Sequence, residues 1–397
     1  MGSVDTNPIN TLIGDLGNLS AKLSDGDDEA RRQAVQLTRK LTTMLEKPVN
    51  TALELCYMPF ISVAAKIAVD LNLFKLILEH DGPITSKELA ALTGADEVFI
   101  VRILRPMTAL GYVMESDTQT WVPTPITKEM ARDEIGASHR MLHEGLIPAM
   151  VKAPQYFKEA GYKSPEDPRD GLVQYAFQTK LKTFDRFSSI PQLLHDFNLA
   201  MGSTMGSKKF WFDHWPVEEQ LVTGAGITKD SVLLIDIGGG KGHDIISFRE
   251  KFPHLPGRLI LQDTAPVIDN IQSMIPEVEM MAYDFFTEQP VKGARAYSYH
   301  HILHDWPDEQ CLQILKRVKE AMKPGYSKLL IHDAIVPEQG ANVYHGLMDL
   351  TMMAFNGGLE RTEGQWRELL GKAGFDVVNT LPPWDDGDGL IEAMASA

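Results

Sequence analysis

Cysteine is nearly absent, with only Cys56 and Cys311 in 397 residues. Two cysteines cannot build a disulfide framework or a zinc ribbon. They are expected to be small buried hydrophobes in a reducing compartment. Positive charge is also short: 38 Lys and Arg face 54 Asp and Glu, a formal net charge of −16. Such a surface repels phosphate backbones, so no nucleic-acid partner is expected. Unbroken apolar runs are missing as well. The most apolar early stretch, "LCYMPFISVAAKIAVDLNLFKLILE" (Leu55 to Glu79), is interrupted by Lys66, Asp70, Asn72 and Lys75. That periodic interruption suits amphipathic helices in a core or interface, and no membrane partner is expected. The polar N-terminus has no apolar leader segment; "MGSVDT" fits the N-myristoylation pattern only in form. A cytoplasmic location follows as the expectation.

What is present is ordinary for a globular chain: 44% hydrophobic and 23% charged residues, enough for two or three domains. The sequence divides at 1–135, 136–220 and 221–397. Residues 1–50 are polar and helical in pattern, an arm suited to packing on a partner subunit. After the helical stretch "FISVAAKIAVDLNLFKLILE", Thr85 and Glu88 form a capping-box pattern, and Gly94 closes that helix. A second helix, "ADEVFIVRILRPMTALG", ends at Gly111. "YVMESDTQTWVPTP" follows as a hairpin with "SDTQ" as its turn. This order is a winged-helix layout. Its second helix offers Arg102 and Arg105 among Val98, Phe99, Ile100, Val101, Ile103 and Leu104, which favours dimerisation over a DNA groove. Residues 136–220 read as helices rich in Met and aromatic residues. Met201 and Met205, at helical spacing, suit either a core or an apolar pocket.

From Ser231 onward strands and helices alternate. "SVLLIDI", "GRLILQD", "VEMMAYD", "ARAYSYH", "SKLLIHDAIV", "FDVVNT" and "GLIEAMA" are strand candidates. Near-continuous apolar strands imply a sheet covered on both faces, a Rossmann-like doubly wound α/β fold with seven strands. "LLIDIGGGKGHDI" sits where the first strand meets its helix. Gly238, Gly239, Gly240 and Gly242 allow a tight turn and a close ligand approach. The dinucleotide pattern G-x-G-x-x-G fails, because its last position is His243. The observed G-x-G-x-G follows Asp236, and a carboxylate there suits a cationic ligand end such as the amino group of S-adenosylmethionine. Asp263 closes the second strand, where ribose hydroxyls are usually met. Asp284 closes the third, beside Phe285, a pairing that can bond an adenine amino group and stack its ring.

Together "DIGGGKG", "LQDTAPVI", "YDFF", "HHILHDWPDEQC", "IHDAIVP" and "NGGLERTEGQW" carry a resemblance that covers nearly the whole chain. The chain resembles the S-adenosylmethionine-dependent O-methyltransferases of the plant caffeic acid and flavonoid type, and most closely their fungal secondary-metabolism branch. The resemblance implies a seven-stranded methyltransferase domain preceded by a helical, winged-helix dimerisation domain, and hence a homodimer. It implies His304 as general base, held by Asp333 and Glu360; plant members usually carry Glu where Asp333 stands. It implies a cofactor contact at His300, where many relatives have Lys or Arg. An aromatic or polyketide-type small molecule would be the acceptor. Met201, Met205, Met353 and Asn356 suit a flat apolar acceptor.

Two other readings bear on the histidines. A metal at "HHILHDWPDE" is not expected: a strand extended through His301 would send His300 and His301 to opposite faces. Some fungal relatives instead run dehydration or pericyclic chemistry without methyl transfer. In such an enzyme His139, His143 and His300 could serve as hydrogen-bonding acids. Retention of His304, Asp333 and Glu360 favours methylation.

Overall fold

The computed structural model describes residues 6–206, 210–383 and 388–396. It divides into two compact units, Met1–Ala131 and Arg132–Ala397. The helical stretch 136–220 belongs to the second unit.

In the first unit, helix α1 (Pro48–Asp70) buries Ala64, Ala65, Ala68 and Val69 near its C-terminal end. Its preceding turns leave Leu53, Leu55, Tyr57, Met58, Phe60 and Val63 exposed. Cys56 is exposed too, which corrects the expectation of two buried cysteines; Cys311 alone is buried. By length and composition α1 could cross a membrane, with a mean hydropathy of 1.6. Helix α2 (Ser86–Thr93) carries the expected capping box: Thr85 Oγ1 accepts from the Glu88 backbone N–H, and Glu88 Oε2 accepts from the Thr85 N–H. Gly94 ends it in the left-handed conformation. Helix α3 (Glu97–Ala109) follows, capped by Asp96. The hairpin 113–117 and 120–123 pairs with 84–85 in a three-stranded antiparallel sheet. The winged-helix order read from the sequence is the order observed.

The second unit is built on a seven-stranded sheet: β1 (Val232–Ile237), β2 (Arg258–Asp263), β3 (Val278–Ala282), β4 (Ala296–His300), β5 (Lys328–Asp333), β6 (Phe375–Leu381) and β7 (Gly389–Ala395). Their spatial order is β6-β7-β5-β4-β1-β2-β3. Strands β1 to β5 run parallel to one another, while β7 is antiparallel to both β5 and β6. The chain leaves β1 toward β2 and β3, then returns to place β4 on the other side of β1. The crevice beside the C-terminal ends of β1 and β4 is therefore the topological switch point, where ligands of such sheets bind.

Alternation along the strands explains the two covered faces. Ile235, Ile237, Tyr297, Tyr299 and Ile331 join a core with Cys311, Ile314 and Leu315 of helix α5 (Asp308–Ala321) and Trp366, Leu369 and Leu370 of helix α6 (Glu363–Lys372). Leu234, Ala296 and Leu330 join the opposite core with Ile245 and Phe248 of helix α4 (His243–Lys251). Period-two patterning thus sorts neighbours of one strand into two separate cores.

One polar pair breaks the apolar pattern. Lys328 on β5 and Glu392 on β7 are both buried and hydrogen-bonded to each other, and Gln220 Oε1 accepts from Lys328 Nζ at 3.2 Å. Removing one member of a buried pair leaves the other charge without compensation. Glu392→Ala should lower the unfolding free energy by about 3–5 kcal/mol, read from urea denaturation. The double replacement Lys328→Met with Glu392→Leu should recover most of that loss. Equal stability of the single variant and the wild type would show that the pair contributes nothing.

Candidate active site

The glycine loop after β1 is shaped by positive φ at Gly238 (75°), Gly240 (59°) and Gly242 (83°). Space is as restrictive as conformation. A Cβ on Gly238 would lie 2.5 Å from Ile302 Cδ1, and one on Gly239 would lie 2.3 Å from Asp236 Oδ2. Asp263 at the end of β2 pins the loop: its Oδ2 accepts from the Gly240 N–H at 2.9 Å and its Oδ1 from the Thr264 N–H at 2.7 Å. Burial raises the Asp263 carboxyl, and these backbone donors oppose that rise.

Asp236 is 3% exposed, and its Oδ2 makes no hydrogen bond among the described residues. Burial, then the neighbouring Asp244, raise its carboxyl well above the usual carboxylate range, with His300 opposing and Asp263 adding to the rise. An unsatisfied buried carboxylate beside a glycine cradle fits a cationic ligand group. Further along, Asp284 is exposed and its Oδ1 accepts from the Phe286 N–H at 3.0 Å. Phe285 lies edge-on to Trp306, with ring centroids 6.1 Å apart, and packs on the core beside the loop. Loop, Asp236, Asp263 and the Asp284–Phe285 pair thus stand at the C-terminal ends of β1, β2 and β3. A glycine cradle ringed by carboxylates, one of them buried and unsatisfied and one beside an aromatic ring, fits S-adenosylmethionine, which carries a cationic group, sugar hydroxyls and an aromatic base.

His304 lies in a turn (Leu303–Asp305) between β4 and α5. Its Nδ1 is 2.9 Å from Glu360 Oε1 and 3.5 Å from Asp333 Oδ1. Its Nε2 is 3.7 Å from Asp305 Oδ1. The structure therefore brings together the three residues expected to act together, although Asp333 reaches less closely than Glu360. Burial opposes charge on the His304 imidazole, but Asp333, Asp305 and Glu360 outweigh it and push its pKa up to about 10. Burial raises Asp305 and Asp333 to about 7, against the pull of His304. The ring thus lies well above the ordinary imidazole value near ~6.5, because three carboxylates in a dry site favour its charged form.

The turn itself is held from the far side of the chain. Arg361, 1% exposed, donates to Leu303 O at 3.2 Å, Trp306 O at 3.1 Å and Asp308 Oδ1 at 2.7 Å. The Leu359 N–H donates to His304 O at 2.9 Å. A Cβ on Gly358 would stand 2.1 Å from that same carbonyl, so only glycine permits the approach. The "GGLERT" segment thus clasps the "HDW" turn while delivering Glu360 to the ring.

The remaining histidines differ from expectation. Strand β4 ends at His300, and His301 takes a left-handed φ of 52°, a conformation costing of order 1–3 kcal/mol. The two rings therefore do not diverge to opposite faces as a continued strand would require; their centroids are 4.5 Å apart. His300 Nδ1 is 2.6 Å from Asp244 Oδ2, and its Nε2 is 3.8 Å from Asp388 Oδ2. His300, the expected cofactor contact, therefore stands between two carboxylates. Burial opposes its charge, yet Asp244 and Asp388 push its pKa to about 10. His301 goes the other way, to about 4, because burial exceeds the attraction of Asp388.

Sequence reasoning missed Asp244, Asp388 and Asp305. Asp244, in the first turn of the helix after the glycine loop, was visible as an acidic helix start. Asp388 had no signal: it reaches His300 only because β7 pairs antiparallel beside β5.

The expected acceptor-binding residues fall in the helical layer. Met201 and Met353 pack against one apolar cluster that contains Phe187 and Phe355. Asn356 is 1% exposed; its Oδ1 faces the Thr183 N–H at 3.4 Å, and its Nδ2 makes no hydrogen bond among the described residues. The Met205 side chain lies outside the described residues. His139 and His143 stack on one another at 6.3 Å in the helix Asp133–Gly145.

Comparison with known proteins agrees with this geometry. Residues 213–376 match the O-methyltransferase domain family, and residues 53–133 match the O-methyltransferase dimerisation domain. The chain is 47% identical to the O-methyltransferase penC of Penicillium thymicola over 386 residues, 96% of each chain. Among solved structures, the LepI complex with SAM superimposes with a TM-score of 0.88 at 30% identity, covering 97% of this chain and 99% of that one. A structure named "A Pericyclic Reaction enzyme" gives a TM-score of 0.87 at 29% identity, with the same coverage. Glycine cradle, switch-point crevice and full-length similarity lead to one conclusion: the chain belongs to the S-adenosylmethionine-dependent O-methyltransferase family, in its fungal branch.

Proposed function

We propose that the enzyme methylates a phenolic or enolic hydroxyl of a small aromatic or polyketide-type molecule, with His304 taking the hydroxyl proton. The observation that carries this reading is the 2.9 Å contact of His304 Nδ1 with Glu360 Oε1. It directs the Nδ1 proton to Glu360 and leaves Nε2 as the nitrogen able to accept. When bound, S-adenosylmethionine supplies an already activated methyl group. Asp236, the Gly238–Gly240 backbone, Asp263, Asp284 and Phe285 would hold it. Glu360 and Asp333 fix the ring and stabilise the imidazolium once the proton has moved. Met201, Met353 and Asn356, with His139 and His143, line the acceptor side in this reading.

A phenol near pKa ~10, going by tyrosine, gives little anion at neutral pH. A His304 imidazole raised to about 10 is matched to that proton. The match has a consequence of definite sign. A base must be neutral to accept, and a raised pKa keeps this ring charged at pH 7. Activity should therefore climb as pH rises from 7 toward 10.

The second reading is a cofactor-binding enzyme of dehydration or pericyclic type. The similarity to the pericyclic reaction enzyme favours it. The greater identity to penC, 47% against 29%, weighs toward methyl transfer. Stoichiometric release of S-adenosylhomocysteine with product separates the two, and its absence during turnover would reject methylation. The exposed apolar face of α1 and the dimerisation-domain match support a homodimer.

Two predictions test the base. His304→Ala should keep its affinity for S-adenosylmethionine by calorimetry while kcat falls roughly 10²–10⁴-fold; wild-type turnover would remove His304 from the mechanism. The kcat/KM profile should rise above pH 7, with an apparent pKa displaced toward about 10. A profile already level at pH 7 would mean that another group accepts the proton.

A further inference from the structure

Three donor atoms outside the proposed methyl-transfer cluster converge at the same edge of the sheet. His301 Nε2 is 3.0 Å and His300 Nε2 is 3.8 Å from Asp388 Oδ2, and one donor atom from each of the three residues lies within 4.8 Å of the others. Metal–ligand bonds of about 2.0–2.2 Å place tetrahedral donors roughly 3.4 Å apart, so these separations bracket a first coordination shell. We propose that His300, His301 and Asp388 form a binding site for a divalent transition-metal ion, held by two imidazole nitrogens and one carboxylate.

The surroundings are those a metal site needs. The second nitrogen of His300, Nδ1, is 2.6 Å from Asp244 Oδ2. That carboxylate holds the Nδ1 proton and turns Nε2 toward Asp388, the usual outer-shell arrangement for a ligating histidine; a bound metal takes the place of the proton that the charged ring carries on Nε2. Nε2 itself makes no hydrogen bond among the described residues, although His300 is buried. A metal ion would engage this nitrogen together with His301 Nε2 and Asp388 Oδ2. The left-handed backbone at His301 has a purpose in the same terms. A continued strand would carry its ring away from His300, whereas the observed turn aims both Nε2 atoms at one oxygen.

Ligand chemistry narrows the ion. Imidazole pairs select zinc, iron, cobalt or nickel over magnesium or calcium, which prefer oxygen shells. Three protein ligands leave further positions for water or an oxygen donor. The assignment does not depend on methyl transfer, since His304, Asp333 and Glu360 are not among the ligands.

The test uses the full-length protein, treated with chelator and titrated with Co²⁺ while visible absorption is followed. One equivalent should bind with the ligand-field bands of a nitrogen and oxygen site, and Zn²⁺ should bleach them. His301→Ala and Asp388→Ala should abolish the bands, as should the milder His301→Gln and Asp388→Asn if an alanine variant fails to fold by circular dichroism. Asp244→Asn should weaken Co²⁺ binding about 10–100-fold, and His304→Ala should retain it. The proposal is overturned if the wild type develops no bands at millimolar Co²⁺, if the ligand variants bind as well as the wild type, or if His304→Ala abolishes the signal and His301→Ala does not.

Discussion

The buried guanidinium of Arg361 is the contact on which the active-site geometry rests. It satisfies the carbonyls of Leu303 and Trp306 and the carboxylate of Asp308, and it stands over the Trp366 ring at 5.1 Å. Hydrogen bonds that involve a charged group contribute about 1.5–3 kcal/mol each, so the turn carrying His304 is fixed from three sides. Because Glu360 is the adjoining residue, the same clamp sets its distance to the imidazole. The backbone bond from Leu359 to His304 and the close approach at Gly358 complete the clasp. Ring orientation is thus imposed by a segment some fifty residues further along the chain.

A second constraint is electrostatic. The C-terminal edge of the sheet gathers Asp236, Asp333, Glu360 and Asp388 in burial, and imidazoles stand against the last three. Burial alone would drive these acids toward neutrality, and it does raise Asp236, Asp305 and Asp333. The histidines offset part of that cost: His300 and His304 are drawn toward the charged form, and His301 is not. A site with this balance favours cations. That suits a sulfonium cofactor at the glycine loop.

Legibility differed from feature to feature. The capping box at Thr85 and Glu88, the hairpin after α3 and all seven strands of the large sheet were readable, because each rests on local spacing or on apolar runs. The glycine loop and the carboxylates at successive strand ends were readable for the same reason. The direction of β7 was not, since antiparallel insertion is a property of pairing and not of one strand's own pattern. Nor was the exposure of Cys56, which depends on which turns of α1 find a partner. His300 and His301 misled because period-two alternation holds only while a strand continues, and one left-handed residue ends it.

Residue type and short-range spacing were enough for the family, the element order, the glycine loop and the grouping of His304, Asp333 and Glu360, because those features lie in short motifs. Tertiary structure alone decided the protonation of the site and the company each histidine keeps. Asp244 and Asp388 meet His300 from separate elements, and three carboxylates surround His304 from three parts of the chain. Charge in a buried cluster depends on distance and water exclusion, and folding is what fixes both.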